Sequence, residues 1–334
     1  MTPSKYSKIL GTGSYIPSRT LTNQELEKMV DTSNEWIIER TGIKERRLAK
    51  LDGSETCSEM GAFAAKKAME AANIKPDEID LILFATVSPD YKLPSTAAVL
   101  QQKLGIKNEC PCLDIVAACS GFLYGLVIAD SMIKTGIYKN ILIIGAELLQ
   151  PFVDWTDRTT CILFADGAGA AVLGRADEND SSKILSSTLS CDGTGDKLLF
   201  VPSGGSASPL NKEKLERKED KLVMEGKQIF KYATRTMMRN SQMALEAAHL
   251  SVSDLQWFIP HQANLRIIEY LAKKLEINME KIIVTVEKYG NNSAATIPIA
   301  LDEAVRAGKI KRGDKCAMTA FGAGVTSGAV VLQY

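Results

Sequence analysis

Few residues in this chain can carry acyl or carbonyl chemistry, so each can be weighed singly. Of seven cysteines (57, 110, 112, 119, 161, 191 and 316), Cys119 is the one placed for reaction. It follows Leu113-Asp-Ile-Val-Ala-Ala and precedes Ser120-Gly121, a strand-to-helix turn that aims the thiol at a helix N-terminus. There the positive end of the dipole favours thiolate. The plainer alternative is a buried, inert cysteine. Only two histidines are present. His249 closes the helical run Ala244-Leu-Glu-Ala-Ala-His and reads as an exposed helix end. His261 follows the buried strand Trp257-Phe-Ile-Pro and opens Gln262-Ala-Asn264, at the carboxyl edge of a strand, where open α/β sheets place their ligands. The alternative for His261 is a satisfied structural histidine.

The elements that must position these residues alternate between two grammars. Ile79 to Val87, Leu113 to Ala117, Asn140 to Ala146 and Ala168 to Leu173 read as buried strands. Thr56 to Ala72 and Gly121 to Thr135 carry apolar residues at helical spacing, the second on nearly every face and therefore central. Buried helices between buried strands imply an α/β protein with sheets covered on both sides. A shift of 172 residues then places Asp130-Ser-Met-Ile-Lys-Thr-Gly136 on Asp302-Glu-Ala-Val-Arg-Ala-Gly308. Ile79 to Ala85 resembles Asp254 to Pro260, and Ile141 to Ala146 has a counterpart near Cys316 to Phe321. Three ordered correspondences predict a duplicated unit. The same register sets Cys119 on Asn291, each opening a matching helix beside a pseudo-twofold axis. The boundary falls near 175–185, in the polar stretch Arg175-Ala-Asp-Glu-Asn-Asp-Ser-Ser, giving halves of 1–178 and 179–334. Residues 203–222 read as a surface excursion.

Glycines cluster at three places. Gly11-Thr-Gly13 follows a short strand but lacks the third glycine of a dinucleotide fingerprint, so nicotinamide binding is weakly supported. Asp166-Gly-Ala-Gly169 reads as a tight turn feeding a strand. Phe321-Gly-Ala-Gly324 reads as a strand-end turn whose backbone N–H could serve an oxyanion.

Composition narrows the classes. The 334 residues are 45% apolar and 24% charged, with 40 basic against 40 acidic side chains, which argues against disorder and against a strongly basic nucleic-acid-binding protein. The opening Met1-Thr-Pro-Ser-Lys-Tyr-Ser-Lys has no signal-peptide core, so a cytoplasmic protein is expected. No apolar run approaches the roughly 20 residues of a membrane helix. Seven cysteines without a Cys-x-x-Cys pair predict reduced thiols and neither a disulfide framework nor a metal site.

Taken together, Ala118-Cys119-Ser-Gly, His261-Gln-Ala-Asn264-Leu-Arg266, Gly290-Asn291-Asn-Ser-Ala-Ala and Phe321-Gly-Ala-Gly324 resemble the signatures of β-ketoacyl-acyl-carrier-protein synthase III. Thr32 to Ile43, with Trp36 and Arg40, and Asp157-Arg158-Thr-Thr with Phe164 to Gly169 extend the likeness over essentially the whole chain. The resemblance implies the thiolase-like fold, two βαβαβαββ halves in a five-layer α-β-α-β-α arrangement, and a homodimer. It implies an acyltransferase that condenses an acyl-CoA primer, expected to be acetyl-CoA, with malonyl-acyl-carrier protein, releasing CoA and CO2 and starting type II fatty-acid synthesis. Coenzyme A thioester is then a substrate, and no cofactor is needed.

By the same resemblance Cys119 is the acyl-accepting nucleophile, and His261 and Asn291 hydrogen-bond the carbonyl of the malonyl thioester, stabilising the enolate formed as CO2 leaves. The backbone N–H groups of Cys119 and Ala323 form the oxyanion hole. Trp36 and Arg158 sandwich the adenine of CoA, with Thr32 and Arg40 beside them. Leu93, contributed across the dimer, and Phe321 bound the acyl pocket. Lys231, Arg266, Lys273 and Lys274, with Gln262, Ala263, Asn264 and Leu265, receive the acidic carrier protein, although such lysines and arginines are usually just solvated helix faces. Two departures from the family pattern are Ala323, where many members have glycine, and Leu93, where some have phenylalanine.

Three other readings compete: a synthase-III-like acyltransferase of secondary metabolism, a papain-like hydrolase with Cys119, His261 and Asn291 in that order, and a catalytically silent scaffold. Duplicated α/β halves argue against the hydrolase. A scaffold does not require Cys, His and Asn together.

Overall fold

The computed structural model describes residues 4–334; Met1-Thr2-Pro3, the start of the segment read for a signal peptide, lies outside the described residues. Two sheets carry the chain. In the first, Tyr6–Tyr15, Gly167–Ala176, Ile141–Glu147, Leu81–Ala85 and Cys112–Ile115 lie side by side in that order. In the second the order is Lys183–Ser190, Thr326–Gln333, Lys315–Gly322, Trp257–Pro260. Both run antiparallel through their first three strands and then parallel. The second sheet is one strand shorter: where the first has Cys112–Ile115, it keeps only a bridge from Phe258 to Ile282. All strands of the first sheet precede residue 177 and all of the second follow residue 182.

Helices separate and cover these sheets, giving the thiolase-like layering. Cys57–Ala72 packs on the outer face of the first sheet, and Gly226–Ala247 on the outer face of the second, with Leu265–Leu275 against it. Between the sheets lie Gly121–Lys134 and Thr296–Arg306. Their Phe122, Leu123, Leu126, Ile133, Ile297 and Leu301 are buried with Leu83, Ile143, Met318 and Val330 from the two inner sheet faces. Hence the all-round apolar character of the central helix: it has no solvent face to make polar. The matched aspartates are its polar anchors. Asp130 accepts from Ser7 at 2.7 Å and pairs with Lys134, while Asp302 accepts from Thr12 and Ser14 at 2.9 and 2.7 Å and pairs with Arg306. Both central helices are thus tied to the strand Tyr6–Tyr15.

Predicted elements fall within a few residues of those observed. Gly11 and Gly13, however, lie inside Tyr6–Tyr15 rather than after a strand. A Cβ at Gly11 would stand 2.4 Å from Ala72 N, and one at Gly13 would stand 2.2 Å from Ala64 O. These glycines let strand and helix backbones touch, which replaces the weak nucleotide-loop reading. Residues 203–222 form the expected excursion, with the exposed helix Lys212–Glu216, between the two short strands Leu199–Phe200 and Val223–Met224.

Candidate active site

Cys119 sits in a single 3-10 turn, Ala118–Ser120, that feeds directly into Gly121–Lys134. The turn is strained, with Ala118 at φ 46°, a region that costs about 1 kcal/mol or more for a residue with a Cβ. Gly322 is pressed against it: a Cβ there would stand 2.8 Å from Cys119 N. That close approach sets the turn beginning at Ala323 beside the nucleophile turn. Cys119 does open a helix, but its thiol is not shifted towards thiolate. Burial pushes Cys119 up to about 12, outweighing a downward pull from the Ser293 hydroxyl, because a thiolate loses more by leaving water than one helix end returns.

Asn291 and His261 approach from the second half. Asn291 is fixed by its backbone, which donates to Leu163 O at 2.9 Å and accepts from Ala165 N at 2.9 Å. Its Oδ1 accepts from Ser293 N at 2.9 Å, leaving Nδ2 with no acceptor among the described residues. His261 ends the strand Trp257–Pro260 and donates its backbone N–H to Thr319 O at 2.8 Å. Its ring Nδ1 meets Thr296 Oγ1 at 2.7 Å. Burial alone holds the imidazole down at about 3, so the ring is neutral. His249 is exposed, as expected of a helix end.

Cys119, His261 and Asn291 all line one cavity of about 630 Å³. Trp36, Arg40, Ala263, Asn264, Arg266 and Phe321 line it too. Trp36 lies in the helix Asn34–Thr41, capped by Ser33, with the Arg40 and Arg158 guanidiniums 5.3 and 5.4 Å from its ring centroid. Arg158 does not reach the cavity wall; it donates to Asp31 O at 2.8 Å and Oδ2 at 3.2 Å. Thr32 Oγ1 is buried beside this group without a partner. Asn264 caps Leu265–Leu275 and ties it to Arg40 O at 3.0 Å, joining the two arginine-bearing helices. Leu265 is half-buried, while Lys231, Lys273 and Lys274 are exposed and away from the cavity. Leu93 is 83% exposed and also lies apart from it.

One expectation is corrected outright. Gln262 is buried, donates to Pro260 O and Ile283 O at 2.7 and 3.0 Å, and accepts from Thr285 N and Val286 N. With both amide atoms engaged it braces the loop after the strand and offers a carrier protein nothing. Its neighbour in sequence faces the cavity; Gln262 faces away.

Three residues absent from the sequence reading complete the site. Glu147, at the end of Ile141–Glu147, is fully buried; it accepts from Thr86, Ser88 and Val87 N at Oε2 and from Ser293 at Oε1, 3.0 Å. Desolvation lifts it to about 7. Ser293, at φ 49°, therefore touches the carboxyl, Asn291 and the Cys119 thiol at once. Thr296 is the third. Among the described residues no three His, Cys, Asp or Glu side chains gather as metal ligands.

The likeness to known proteins agrees with this arrangement. Models described as 3-oxoacyl-[acyl-carrier-protein (ACP)] synthase III, and as its C-terminal part, match residues 113–193 and 245–334. A β-ketoacyl-[acyl-carrier-protein] synthase III of Caldanaerobacter subterraneus is 49% identical over 98% of this chain and 97% of its own. The chain belongs to the β-ketoacyl-[acyl-carrier-protein] synthase III family. Among solved structures, the family's enzyme from Aquifex aeolicus superposes with a TM-score of 0.90 at 49% identity, covering 98% of this chain and 100% of that one. A priming β-ketosynthase from the R1128 polyketide pathway also gives 0.90, at 36% identity, covering 99% and 97%. The family's fold thus tolerates wide sequence change.

Proposed function

We propose that the chain catalyses decarboxylating condensation of an acyl-CoA primer with malonyl-acyl-carrier protein, yielding β-ketoacyl-acyl-carrier protein, CoA and CO2 and initiating fatty-acid synthesis. The observation that carries this reading is the convergence of a buried thiol, a neutral imidazole and a free amide N–H on one cavity. Curated synthase III relatives at 46–49% identity over 98% of the chain favour fatty-acid initiation over secondary metabolism.

Cys119 takes the acyl group: its sulfur attacks the thioester carbon, and CoA leaves as thiol with the cysteine's proton. The developing oxyanion is held by the Cys119 and Ala323 N–H groups. Malonyl thioester then loses CO2, and negative charge moves onto its carbonyl oxygen. Two neutral donors, His261 and Asn291 Nδ2–H, both on buried residues, stabilise that enolate. Its carbon attacks the acyl carbonyl and expels the Cys119 thiolate, which regains a proton. A neutral histidine suits this role and disfavours the hydrolase, whose imidazolium–thiolate pair would have to survive where burial holds His261 near 3.

Trp36 and Arg158 are assigned to adenine, Thr32 and Arg40 to the rest of the CoA head, and Phe321 to the acyl pocket. Lys231, Arg266, Lys273 and Lys274 receive the carrier. A second copy of the chain is the fitting partner for the open edge strand Cys112–Ile115, where Leu113 and Val116 are exposed, as are Tyr91 and Leu93. Such an apolar edge invites pairing, and Leu93 then enters the neighbouring subunit's pocket. The two functional halves are 1–178 and 179–334, and the cytoplasm is the assigned compartment. Among the described residues no helix is long and apolar enough to cross a membrane.

The test separates the two half-reactions. A rapid quench of His261→Ala with radiolabelled acyl-CoA should capture label on Cys119 at a near-normal rate, while decarboxylation falls by roughly 10²–10³, the cost of one oxyanion donor. No captured label would assign His261 to thiol activation and sink the condensing mechanism.

A further inference from the structure

We infer that Thr296 is a positioning residue for His261: its hydroxyl donates to ring Nδ1 and so keeps the ring proton on Nε2. The inference rests on the reading that His261 donates to the malonyl thioester. A neutral imidazole carries one proton, and only the nitrogen that holds it can donate. If that proton sat on Nδ1, Nε2 would meet the thioester oxygen with a lone pair, and two acceptors would repel.

The threonine hydroxyl has one proton and two acceptors within reach. His261 Nδ1 lies at 2.7 Å and Ser293 O at 3.0 Å. The carbonyl is already served, because the Thr296 backbone N–H donates to it. Nδ1 has no other partner among the described residues, and its neighbourhood is closed: His261 is 3% and Thr296 1% exposed. Sending the hydroxyl proton to Ser293 O would add a second donor to that oxygen and require the ring proton to sit on Nδ1, leaving Nε2 a bare acceptor towards the cavity. Sending it to Nδ1 satisfies every group and leaves Nε2–H free. Burial keeps the ring neutral, and the Thr296 hydroxyl is the one hydrogen-bond partner of the ring among the described residues, so it supplies the directional influence on the tautomer.

The same short segment orients the other donor. Ser293 N–H holds Asn291 Oδ1 at 2.9 Å, which turns Nδ2 away from the backbone. Asn291 and His261 are therefore both set from residues 293–296.

Nitrogen-15 NMR reads the tautomer directly, since protonated and unprotonated ring nitrogens resonate far apart and His249→Asn leaves His261 as the only histidine. The wild-type ring should show Nε2 protonated and Nδ1 bare near neutral pH, and Thr296→Ser should keep that pattern. Thr296→Val should leave acylation of Cys119 intact and slow malonyl decarboxylation about 10- to 100-fold, the scale of one hydrogen bond to a developing charge, with Thr296→Ser restoring it. A proton on Nδ1 of the wild-type protein overturns the inference while leaving the His261 reading standing. So does undiminished decarboxylation in folded Thr296→Val. Undiminished decarboxylation in His261→Ala would instead remove the underlying reading itself.

Discussion

Trp36 gives the sharpest test of the proposed CoA entrance, because its surroundings define how far the clamp must open. A purine stacked between an indole and a guanidinium needs about 7 Å between them, two contact distances of about 3.5 Å. The Arg158 guanidinium lies 5.4 Å from the Trp36 centroid, so it must move out by roughly 1.6 Å to admit the base, a difference taken against that stacking distance. The restraints on it are a hydrogen bond to Asp31 O and an ion pair with the Asp31 carboxylate, whose side chain is fully exposed; at the surface water replaces both at little cost. Opening is therefore cheap, and stacking should dominate. Trp36→Ala should weaken CoA binding by about 1–3 kcal/mol, roughly 5- to 150-fold in Kd, whereas Asp31→Ala should change it by less than about 5-fold. Calorimetry with CoA, and KM for acyl-CoA in the acylation step, read this directly. A thermal melt guards against misfolding, since Trp36 packs against the buried cluster that includes Leu21, Leu26 and Ile37. The malonyl-carrier half-reaction, which involves no adenine, should be spared. Unchanged CoA affinity would make Trp36 a packing residue, and equal loss in both half-reactions would place the damage in the shared cavity.

Replacing exposed Lys231 and Arg266 with glutamate should slow reaction with malonyl-carrier protein, most at low salt, because complementary charge chiefly raises association rate; stopped-flow kinetics should find acylation from small acyl-CoA nearly unchanged. Glu147 predicts a stability effect. Its carboxyl is raised from 4.5 to about 7 in the folded chain, so its contribution is full below about 4.5 and lost as pH rises through about 7. Between pH 5 and 8 the wild type should lose about 3 kcal/mol more than Glu147→Gln, as measured by urea unfolding at the two pH values; equal losses would mean that the carboxyl titrates normally.

Those predictions draw on two kinds of residue, and only one kind is visible in the sequence. Cys119, His261 and Asn291 were legible because each terminates a periodic element, and the 172-residue repeat set Cys119 against Asn291. Strand and helix periodicity carried the layering, since residues such as Ile141 to Ala146 and Phe122 to Ala129 are apolar on nearly every face. Gly11 and Gly13 were harder: a glycine pair beside a strand has the same spacing whether it receives a ligand or a neighbouring helix. Gln262 misled for a simpler reason. It adjoins His261 in the motif, yet successive side chains in extended chain point to opposite sides, so one faces the cavity and the other the core.

Glu147, Ser293 and Thr296 escaped because nothing local distinguishes them. A glutamate at a strand end is ordinarily solvated, and serine or threonine before a helix is ordinarily a cap. Their importance comes from a tertiary contact made by an absent side chain: at Gly145 a Cβ would stand 2.3 Å from Ala294 O, so only glycine lets the turn Ser293–Ala295 seat against the strand Ile141–Glu147. Once seated, the turn brings Ser293 to Glu147 and Asn291 to the Cys119 cavity, and starts the helix on which Thr296 meets His261. The two halves are thereby locked where the proposed chemistry requires them. The nucleophile comes from one half and both donors from the other, so acyl acceptance and enolate stabilisation depend on different elements. Mutations should therefore be able to separate the two half-reactions.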